Sequence, residues 1–445
     1  MDRTEGGKHV KTPRFDDVST KQARIAEQAR ACPDMVFTTL HHYIDRDWMR
    51  RAWNLTRKDG ATGVDGVTAA EYEKELEANL LDLMNRIKSG SYRAPPVRRH
   101  YIPKPDGRQR PLGIPTLEDK VAQRAIAMVL EPIYETDFLP CSYGFRPGRS
   151  AHDALDELRA GLGKHSLRWV IDADVESCFD SIDHKHLREF LDLRIKDGVI
   201  RRMIDKWLKA GVLDKGVLQR SESGTPQGGV VSPILSNIFL HHVLDLWVKE
   251  AVQPRVGACR LVRYADDFVI AFKDRRDGER VLAVLGKRLA RFGLTLHPTK
   301  TRFVDFRHSI GGAHDTRNRF EFLGFLHMWG TSQEGHPVVR RYTASTRFAR
   351  AARSVWEWCR THRHLPLDDQ QRHLASVIRG HCAYYGVTGN SRRLARFRET
   401  VIRSWRYWLG RRHRTGGWIV WGRFSAILAR FPLPTAKVTR SIYST

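Results

Sequence analysis

The chain has 445 residues, enough for two or three domains, and its 41% hydrophobic content is that of a folded protein. It carries 76 lysines and arginines against 50 aspartates and glutamates, a net charge of +26 that indicates a polyanionic partner such as nucleic acid. No apolar run approaches the roughly 18 residues of a membrane span, which argues against a membrane protein.

The positive charge is concentrated at the end of the sequence. Residues 340–445 hold 22 basic and 4 acidic side chains, and all but one of the basic ones are arginines. The planar guanidinium pairs with phosphate and stacks on bases, so this region is the candidate RNA-binding part. An anionic membrane surface is the less favoured partner, because no basic amphipathic helix stands out.

The beginning of the sequence and the cysteines bear on the compartment. Residues 1–36 are polar and lack the apolar segment of a signal peptide, so we expect a flexible leader on a cytoplasmic protein, associated with the nucleoid if it binds DNA. The six cysteines form no CxxC pair. Reduced thiols therefore fit better than a zinc site or a disulfide framework.

The first recognisable element is a basic hairpin. Prolines punctuate an extended stretch from Tyr92, Lys104–Arg108 has the residues of a hairpin turn, and Arg110–Pro115 continues extended. Its basic side chains either grip phosphates or form a solvated face. A helix capped by Thr116 is expected to follow.

Residues 141–150 form a loop in which aromatic rings alternate with glycine and arginine. Rings stack on bases and arginine pairs with phosphate, so the loop is a candidate nucleic-acid contact. The side chains concerned are Tyr143, Phe145, Arg146 and Arg149.

A predicted strand over residues 168–175 carries Asp172 and Asp174 on the same side. Two acids on one face of a core strand are costly unless they are paired or bind a metal ion. The alternative is a solvated edge strand.

Further on, the glycine-rich loop around Gln227 precedes a helix, where small residues let a ligand approach the backbone.

Residues 261–272 read as a β-hairpin with Asp266 and Asp267 at its tip. An isolated pair of acids is most often an exposed turn. In a cleft, however, two adjacent carboxylates favour the binding of divalent cations, which remove their repulsion.

From about Arg340 the spacing of apolar residues predicts helices. Half of the chain's 12 tryptophans lie in this region, and we expect most of them in helix cores.

The order of these motifs resembles that of bacterial group II intron-encoded reverse transcriptase/maturases, from about Phe37 to the C-terminus. Arg110–Pro115, Tyr143–Pro147 and Arg379–Gly386 are similar to that family in particular. The resemblance implies an α+β right-hand polymerase whose ferredoxin-like palm has an antiparallel sheet, followed by an α-helical thumb/maturase domain. The expected domains are 1–36 (leader), 37–165 (N-terminal extension and fingers), 166–335 (palm with the active site, part of the fingers interleaved) and 336–445 (thumb/maturase with a short basic C-terminal segment).

The resemblance also implies site residues. Two Mg²⁺ ions, or Mn²⁺ in their place, would be held by Asp174, Asp266, Asp267 and the backbone carbonyl of Val175. Lys300 matches a candidate proton donor to pyrophosphate. Lys104 and Arg110 match residues that hold the triphosphate, Gln227 one that touches the incoming nucleotide, and Phe179 one that excludes a 2′-hydroxyl. The primer grip matches Phe322, Leu323 and Gly324, and the candidate RNA-binding arginines are Arg379, Arg392, Arg393, Arg396 and Arg406.

The implied function is RNA-directed DNA polymerisation, combined with maturase activity on group II intron RNA in splicing and retrohoming. The implied partners are intron RNA, an RNA template with a DNA or RNA primer, target DNA and dNTPs, with no membrane; the oligomeric state is left open. No cysteine follows Cys382, so we expect the His-Asn-His endonuclease of many relatives to be absent. The alternatives are a host-domesticated enzyme of repair or phage defence, and an RNA-binding splicing cofactor without polymerase activity.

Overall fold

The computed structural model describes residues 15–103, 107, 109–163, 167–214, 216–219, 224, 228–308, 318–332, 334–412 and 417–441. Helices α1–α15 of these ranges span Phe15–Ala31, Arg46–Leu55, Ala69–Glu73, Leu76–Ser89, Leu117–Asp137, Ala151–Gly163, Cys178–Ser181, His184–Asp192, Gly198–Lys209, Ser232–Leu240, Arg275–Ala290, Ser345–Thr361, Leu367–Tyr385, Ser391–Leu409 and Trp421–Arg430. Strands β1–β11 span Val97–Pro103, Gln109–Ile114, Trp169–Asp174, Val212–Asp214, Val217–Gln219, Cys259–Tyr264, Asp267–Phe272, Arg302–Asp305, Phe320–Phe322, Phe325–Thr331 and Pro337–Thr343.

The chain divides into two compact units. The first comprises the described residues within Met1–Ala154, Ala173–Phe268 and Glu279–Thr301. The second comprises those within Leu155–Asp172, Val269–Gly278 and Arg302–Thr445. Each unit is assembled from separate stretches of chain, and the predicted domain boundaries stay predictions.

Helix α5 is the central core element of the first unit. Thr116 caps it as predicted, since the threonine side chain accepts a hydrogen bond of 3.2 Å from the amide of Asp119. Most of its apolar side chains are buried. The indole of Trp48 in α2 donates a 2.9 Å hydrogen bond to the carbonyl of Ala125, which ties α2 to this core helix.

Helix α1 corrects the prediction of a flexible leader. Residues 1–14 lie outside the described residues, but Phe15–Ala31 is helical. Val18, Ile25 and Ala29 are buried, and these positions share one helix face that packs against α5. Three apolar residues spread over a polar helix give a weak sequence signal, which explains the wrong prediction.

Two sheets belong to the regions predicted as fingers and palm. Strands β1 and β2 form the expected antiparallel basic hairpin, in a sheet of order β2-β1-β4-β5. A second sheet has the order β6-β7-β3-β8, in which β3 and β8 run antiparallel from Trp169↔Asp305 to Asp172↔Arg302. The β6–β7 hairpin, predicted from two short apolar and aromatic runs on either side of an acidic turn, is confirmed.

The second unit combines a three-stranded sheet, β11-β10-β9, with the helices α12–α15. The range 336–445 was predicted as helical, but it begins with β11, which pairs along its whole length with β10. The helices enclose a core in which Trp405 is fully buried and donates a 2.8 Å hydrogen bond to Gln370 Oε1. None of the described helices is long and apolar enough to cross a membrane.

Candidate active site

The site is built around the turn between β6 and β7, which consists of Ala265 and Asp266 and leads into Asp267. Ala265 has a φ of +57°, a left-handed conformation that residues with a side chain seldom adopt. Such backbone strain is retained only where the surrounding structure enforces it, and it concentrates at functional sites. The turn presents its two acids side by side.

Asp174, at the end of β3, is the third acid. Its carbonyl accepts a 2.8 Å hydrogen bond from the amide of His297, and the amide of Glu176 donates a 2.8 Å bond to Thr295. These two bonds pair residues 174–176 with residues 295–297, and neither of them involves the carbonyl oxygen of Val175. The ammonium of Lys300 forms an ion pair with Oδ2 of Asp174.

The three acids meet although 92 residues separate Asp174 from Asp266. The charges of Asp266 and Asp174 both act on the carboxyl of Asp267. The structure therefore brings together the acids that the sequence placed on separate strands. It also places Lys300 next to them, bound to Asp174.

Loss of hydration and mutual repulsion both act on the carboxylates of this cluster. Loss of hydration, then the charges of Asp266 and Asp174 and a hydrogen bond with Asp174, raise the pKa of Asp267 to about 7. Loss of hydration and the charge of Asp174 also raise the pKa of Asp266, while Arg110 and Lys300 act in the opposite direction. Asp267 retains exposed surface, so the neighbouring carboxylates are the more important cause there. Carboxylates under such repulsion favour a bound cation.

The donor set suits a hard divalent cation. Carboxylate and carbonyl oxygens are the ligands that Mg²⁺ takes in proteins, and Asp174, Asp266, Asp267 and the Val175 carbonyl supply only oxygen. Among the described residues, no group of three or more histidine, cysteine, aspartate or glutamate side chains has the arrangement of a metal site. The oxygen donors of this cluster therefore fit Mg²⁺. The described side chains alone do not form the arrangement of a metal site.

A buried ion pair supports the acid-bearing turn. Arg263 and Asp245 both have 0% exposed side chains, and their closest atoms, Nη2 and Oδ2, lie 2.6 Å apart. Arg263 also donates to the carbonyl of Ala265 at 3.1 Å and to Oδ1 of Asn237 at 2.9 Å. Asp245 comes from a π-helical turn, His241–Asp245, of the kind that often occurs at functional sites.

This ion pair was not predicted from the sequence. The available signal was Arg263, a charged residue that directly follows the apolar pair Leu261–Val262 in the strand before the acid turn. Arg263 in such a strand must find a counter-charge or face solvent. Its partner, Asp245, could not be chosen from the sequence because several acids precede it.

The loop of residues 141–150 lies against the same strand. The amide of Tyr143 donates to the carbonyl of Arg263 at 2.9 Å, and Asn237 Nδ2 donates to the carbonyl of Gly144 at 2.8 Å. A Cβ on Gly144 would lie 2.4 Å from the amide nitrogen of Ala265. Only glycine fits this close approach of two backbones.

Two predicted nucleic-acid contacts in this loop are wrong. Arg146 is buried, and its guanidinium is committed to Glu135 at 3.0 Å and to the carbonyls of Leu139 and Ser142 at 2.9 and 2.8 Å. Tyr143 is buried too. Both residues therefore stabilise the loop. Phe145 and Arg149 keep exposed surface, and their contact with nucleic acid stays a prediction.

The predicted nucleotide-binding residues are partly described. Lys104 and Gln227 lie outside the described residues. Arg110 in β2 is exposed, and its charge acts on Asp266. Phe179, in the short helix α7, is half-buried. Gly228, next to Gln227, has a φ of +111°, and a Cβ there would lie 2.4 Å from the carbonyl oxygen of Gly113 in β2.

The predicted primer grip forms the turn between β9 and β10 in the second unit. Leu323 and Gly324 have φ values of +48° and +78°. The Leu323 carbonyl accepts a 2.8 Å hydrogen bond from the hydroxyl of Tyr384, and the side chain of Phe322 is buried. The structure thus gives this turn a defined conformation held by α13.

The candidate RNA-binding arginines lie on α13 and α14 of the second unit. Arg379, Arg392 and Arg396 are exposed, whereas Arg393 and Arg406 are partly buried. Arg406 donates to the carbonyl of Ile419 at 3.2 Å, so it also has a structural role. Their role in RNA binding stays a prediction.

Three acids at or next to the ends of two strands of one sheet, on a chain with a helical C-terminal region, are typical of a nucleic-acid polymerase. Residues 102–327, just over half of the chain, match the family model "Reverse transcriptase (RNA-dependent DNA polymerase)", and the chain belongs to that family. Residues 348–424 match "Group II intron, maturase-specific domain", which implies binding of intron RNA. The predicted fold class and family are thereby confirmed, and reverse transcriptases in general use divalent metal ions.

Curated relatives agree with this assignment. The chain is 37% identical to Protein YkfC of Escherichia coli (strain K12) over 58% of its own length and 76% of that protein. It is 41% identical to Group II intron-encoded protein LtrA of Lactococcus lactis subsp. cremoris over 51% of its own length, but the match spans only 37% of LtrA. A third relative, "Uncharacterized 91 kDa protein in cob intron" of Schizosaccharomyces pombe, is 28% identical over 88% of this chain and 56% of that protein.

Proposed function

We propose that the chain copies RNA into DNA at the Asp174–Asp266–Asp267 cluster and assists the splicing of a group II intron through its helical region. The observation that carries the polymerase proposal is the meeting of these three carboxylates, which repel one another in the absence of a cation. A protein that only binds RNA does not need that arrangement. The retained acids therefore favour a catalyst over a splicing cofactor without polymerase activity.

The proposed cofactor is a pair of Mg²⁺ ions, with Mn²⁺ as an alternative. Bound ions would lower the pKa of the primer 3′-hydroxyl and neutralise charge on the triphosphate. The carboxylates of Asp174, Asp266 and Asp267 and the Val175 carbonyl would hold them. The ammonium of Lys300, already paired with Asp174, is then a candidate donor of a proton to the departing pyrophosphate.

The incoming dNTP is proposed to bind between the basic hairpin and the glycine-rich loop. The close approach of the Gly228 backbone to the Gly113 carbonyl supports this, because Gly113 belongs to the strand that carries Arg110. Arg110 and Lys104 would bind the triphosphate and Gln227 the nucleotide. Phe179 would exclude a 2′-hydroxyl, so DNA is the proposed product.

Nucleic acids are the proposed macromolecular partners: the intron RNA, an RNA template with its DNA or RNA primer, and target DNA during retrohoming. Arg379, Arg392 and Arg396 supply exposed positive charge for the RNA. Phe322, Leu323 and Gly324 would hold the primer. The proposed location is the cytoplasm, with association with the nucleoid.

Primer extension on an RNA template with Mg²⁺ and dNTPs tests the polymerase. The Asp266→Ala, Asp267→Ala double variant should lose at least about 100-fold in rate, because acids that hold catalytic charge contribute several kcal/mol to transition-state stabilisation. The matched control is Asp368→Ala, Asp369→Ala, which removes another adjacent acid pair, at the start of α13. Full activity of the first double variant would refute the proposed site.

Splicing is measured separately, with a group II intron precursor RNA and the same variants. We expect the Asp266, Asp267 double variant to keep its splicing assistance while it loses polymerisation, because RNA binding does not require the metal site. Loss of splicing in that variant, with an unchanged thermal unfolding midpoint, would contradict two separable activities.

A further inference from the structure

Two exposed tryptophans distinguish the C-terminal part of the second unit. Trp418 is 66% exposed and Trp421 is 48% exposed. The other ten of the chain's 12 tryptophans are buried or partly buried. A tryptophan indole normally buries its large apolar area, so two exposed indoles three residues apart require a reason.

Arginines of α14 and the segment after it hold the two rings. The guanidinium carbon of Arg406 lies 4.0 Å from the ring centroid of Trp421 and 5.6 Å from that of Trp418. Arg411 lies 5.3 Å from the Trp418 ring, and the ring of Tyr407 meets Trp418 edge to face at 5.6 Å. These cation–π and aromatic contacts position the indoles while leaving them exposed.

The surroundings are positively charged. After Glu399 the sequence contains nine lysines and arginines and no aspartate or glutamate. An exposed apolar patch with such neighbours is complementary to a ligand that is both flat and anionic. An apolar peptide would cover the rings but would leave the positive charge without a counterpart.

We infer that Trp418 and Trp421 form a platform on which unpaired bases of single-stranded RNA stack, with Arg406 and Arg411 aligning the rings beside the phosphates. A base has a flat π-face whatever its identity, and stacking on an aromatic ring is worth as much as a hydrogen-bonded contact. The inference rests on the proposed function only in taking RNA as the partner. The platform goes beyond the proposed function because it assigns the contact to RNA bases rather than to the phosphate backbone.

The experiment compares two strands of equal length on the full chain: single-stranded RNA with one 2-aminopurine, and a ribose-phosphate strand without bases. The Trp418→Ala, Trp421→Ala double variant should bind the base-containing strand at least about fivefold more weakly than the wild type, and should no longer quench 2-aminopurine fluorescence. Its affinity for the strand without bases should match that of the wild type. The Trp418→Phe, Trp421→Phe variant should retain most of the binding to the base-containing strand, because a phenyl ring still stacks on a base.

Val420→Ala is the matched control, because Val420 is 68% exposed and lies between the two tryptophans without carrying a ring. Equal weakening by Val420→Ala and the double alanine variant would overturn the platform, as would unchanged 2-aminopurine quenching in the double alanine variant. A wild-type chain that bound neither strand would refute both the platform and the RNA-binding function. Primer extension on a pre-annealed duplex reports the polymerase separately, and the thermal unfolding midpoint reports folding.

Discussion

Gly144 shows how closely the acid-bearing turn is packed. A Cβ at this position would lie 2.4 Å from the amide nitrogen of Ala265 and 2.9 Å from the carbonyl carbon of Tyr264. Both contacts are with backbone atoms, which cannot rotate away as the end of a side chain can. The turn must therefore move if residue 144 gains a methyl group.

We predict that Gly144→Ala lowers the rate of primer extension by at least about 10-fold, because a small displacement of catalytic groups costs one to two orders of magnitude. The nucleotide KM should change less than kcat, since the displaced atoms carry the acids. Gly60→Ala is the matched control, because a Cβ at Gly60 meets nothing within 4 Å. Equal rates for the two variants would contradict the packing argument.

His327 in β10 is a fully buried residue whose two ring nitrogens both lack a hydrogen-bond partner. Its ring stacks on Phe320 at 4.9 Å, and Arg341 is its cross-strand neighbour on β11. Burial, and then the charge of Arg341, lower the pKa of His327 to about 3. The folded state therefore holds the neutral imidazole.

A folded pKa below the ordinary value of 6.5 gives stability that is complete above pH 6.5 and is lost as the pH falls towards 3. The loss amounts to about 1.4 kcal/mol per pH unit. We predict that His327→Leu, which removes the titration and the two unpaired nitrogens, unfolds at a higher temperature than the wild type at pH 5. The difference between the two midpoints should shrink towards pH 7. A difference that does not depend on pH would refute the prediction.

At the scale of the element, the β6–β7 hairpin depends on the ion pair of Arg263 and Asp245. A buried ion pair is a weak source of stability, because desolvation offsets the Coulombic attraction, but breaking it leaves an unpaired charge. Asp245→Asn should therefore lower the free energy of unfolding of this unit by about 3–5 kcal/mol. The double variant Arg263→Met, Asp245→Leu should be less destabilised than the single one.

Thermal unfolding of the single and double variants checks this order. Asp305→Asn provides the comparison, since it breaks a surface ion pair in which the side chain of Arg307 is 62% exposed, and we expect little change there. The double variant also loses the hydrogen bond from Arg263 to the Ala265 carbonyl. It should consequently fold well and still polymerise slowly. A double variant less stable than Asp245→Asn would show that the pair is a net stabiliser.

The elements themselves were predictable where local signals agreed. Two short runs rich in valine, isoleucine and aromatic residues predicted the β6–β7 hairpin, and Thr116 predicted the start of α5. Helix α1 was missed because only three of its residues carry the apolar pattern, and it is packing against α5 that stabilises it. Local propensity cannot report such a tertiary contact.

The candidate site likewise has a part that was predictable from the sequence and a part that was not. Side-chain chemistry and motif order identified Asp174, Asp266 and Asp267, because acids on strands are unusual and their function restricts where they occur. The structural support was not predictable. The partner of Arg263 and the fit of Gly144 depend on which strands and helices become neighbours, which is a property of the fold and not of any single stretch of sequence.

At the scale of the whole molecule, the net charge of +26 determines the interaction with RNA. Residues 340–445 contribute much of it, because they hold 22 basic and 4 acidic side chains. Arg392 and Arg396 lie one helical turn apart on α14 and are both exposed. Binding to a single-stranded polyanion releases counterions, so log Kd should depend linearly on log salt concentration, with about 0.7 added to the slope for each phosphate contacted. The affinity for RNA should therefore fall steeply with salt.

We predict that Arg392→Gln, Arg396→Gln reduces the salt slope of single-stranded RNA binding by about 1.4, because two phosphate contacts are lost. The control is Glu399→Gln, Arg403→Gln, an ion pair on the same helix whose removal leaves the net charge of α14 unchanged. Dissociation constants measured at several salt concentrations give the two slopes. Helix α14 also carries Arg406, which contacts the tryptophan platform near the C-terminal end of the helix. If the salt slope changes while 2-aminopurine quenching is kept, then Arg392 and Arg396 bind phosphates and the C-terminal end of the helix serves base binding. An unchanged slope in the first variant would instead place the RNA on a different face of the helical unit.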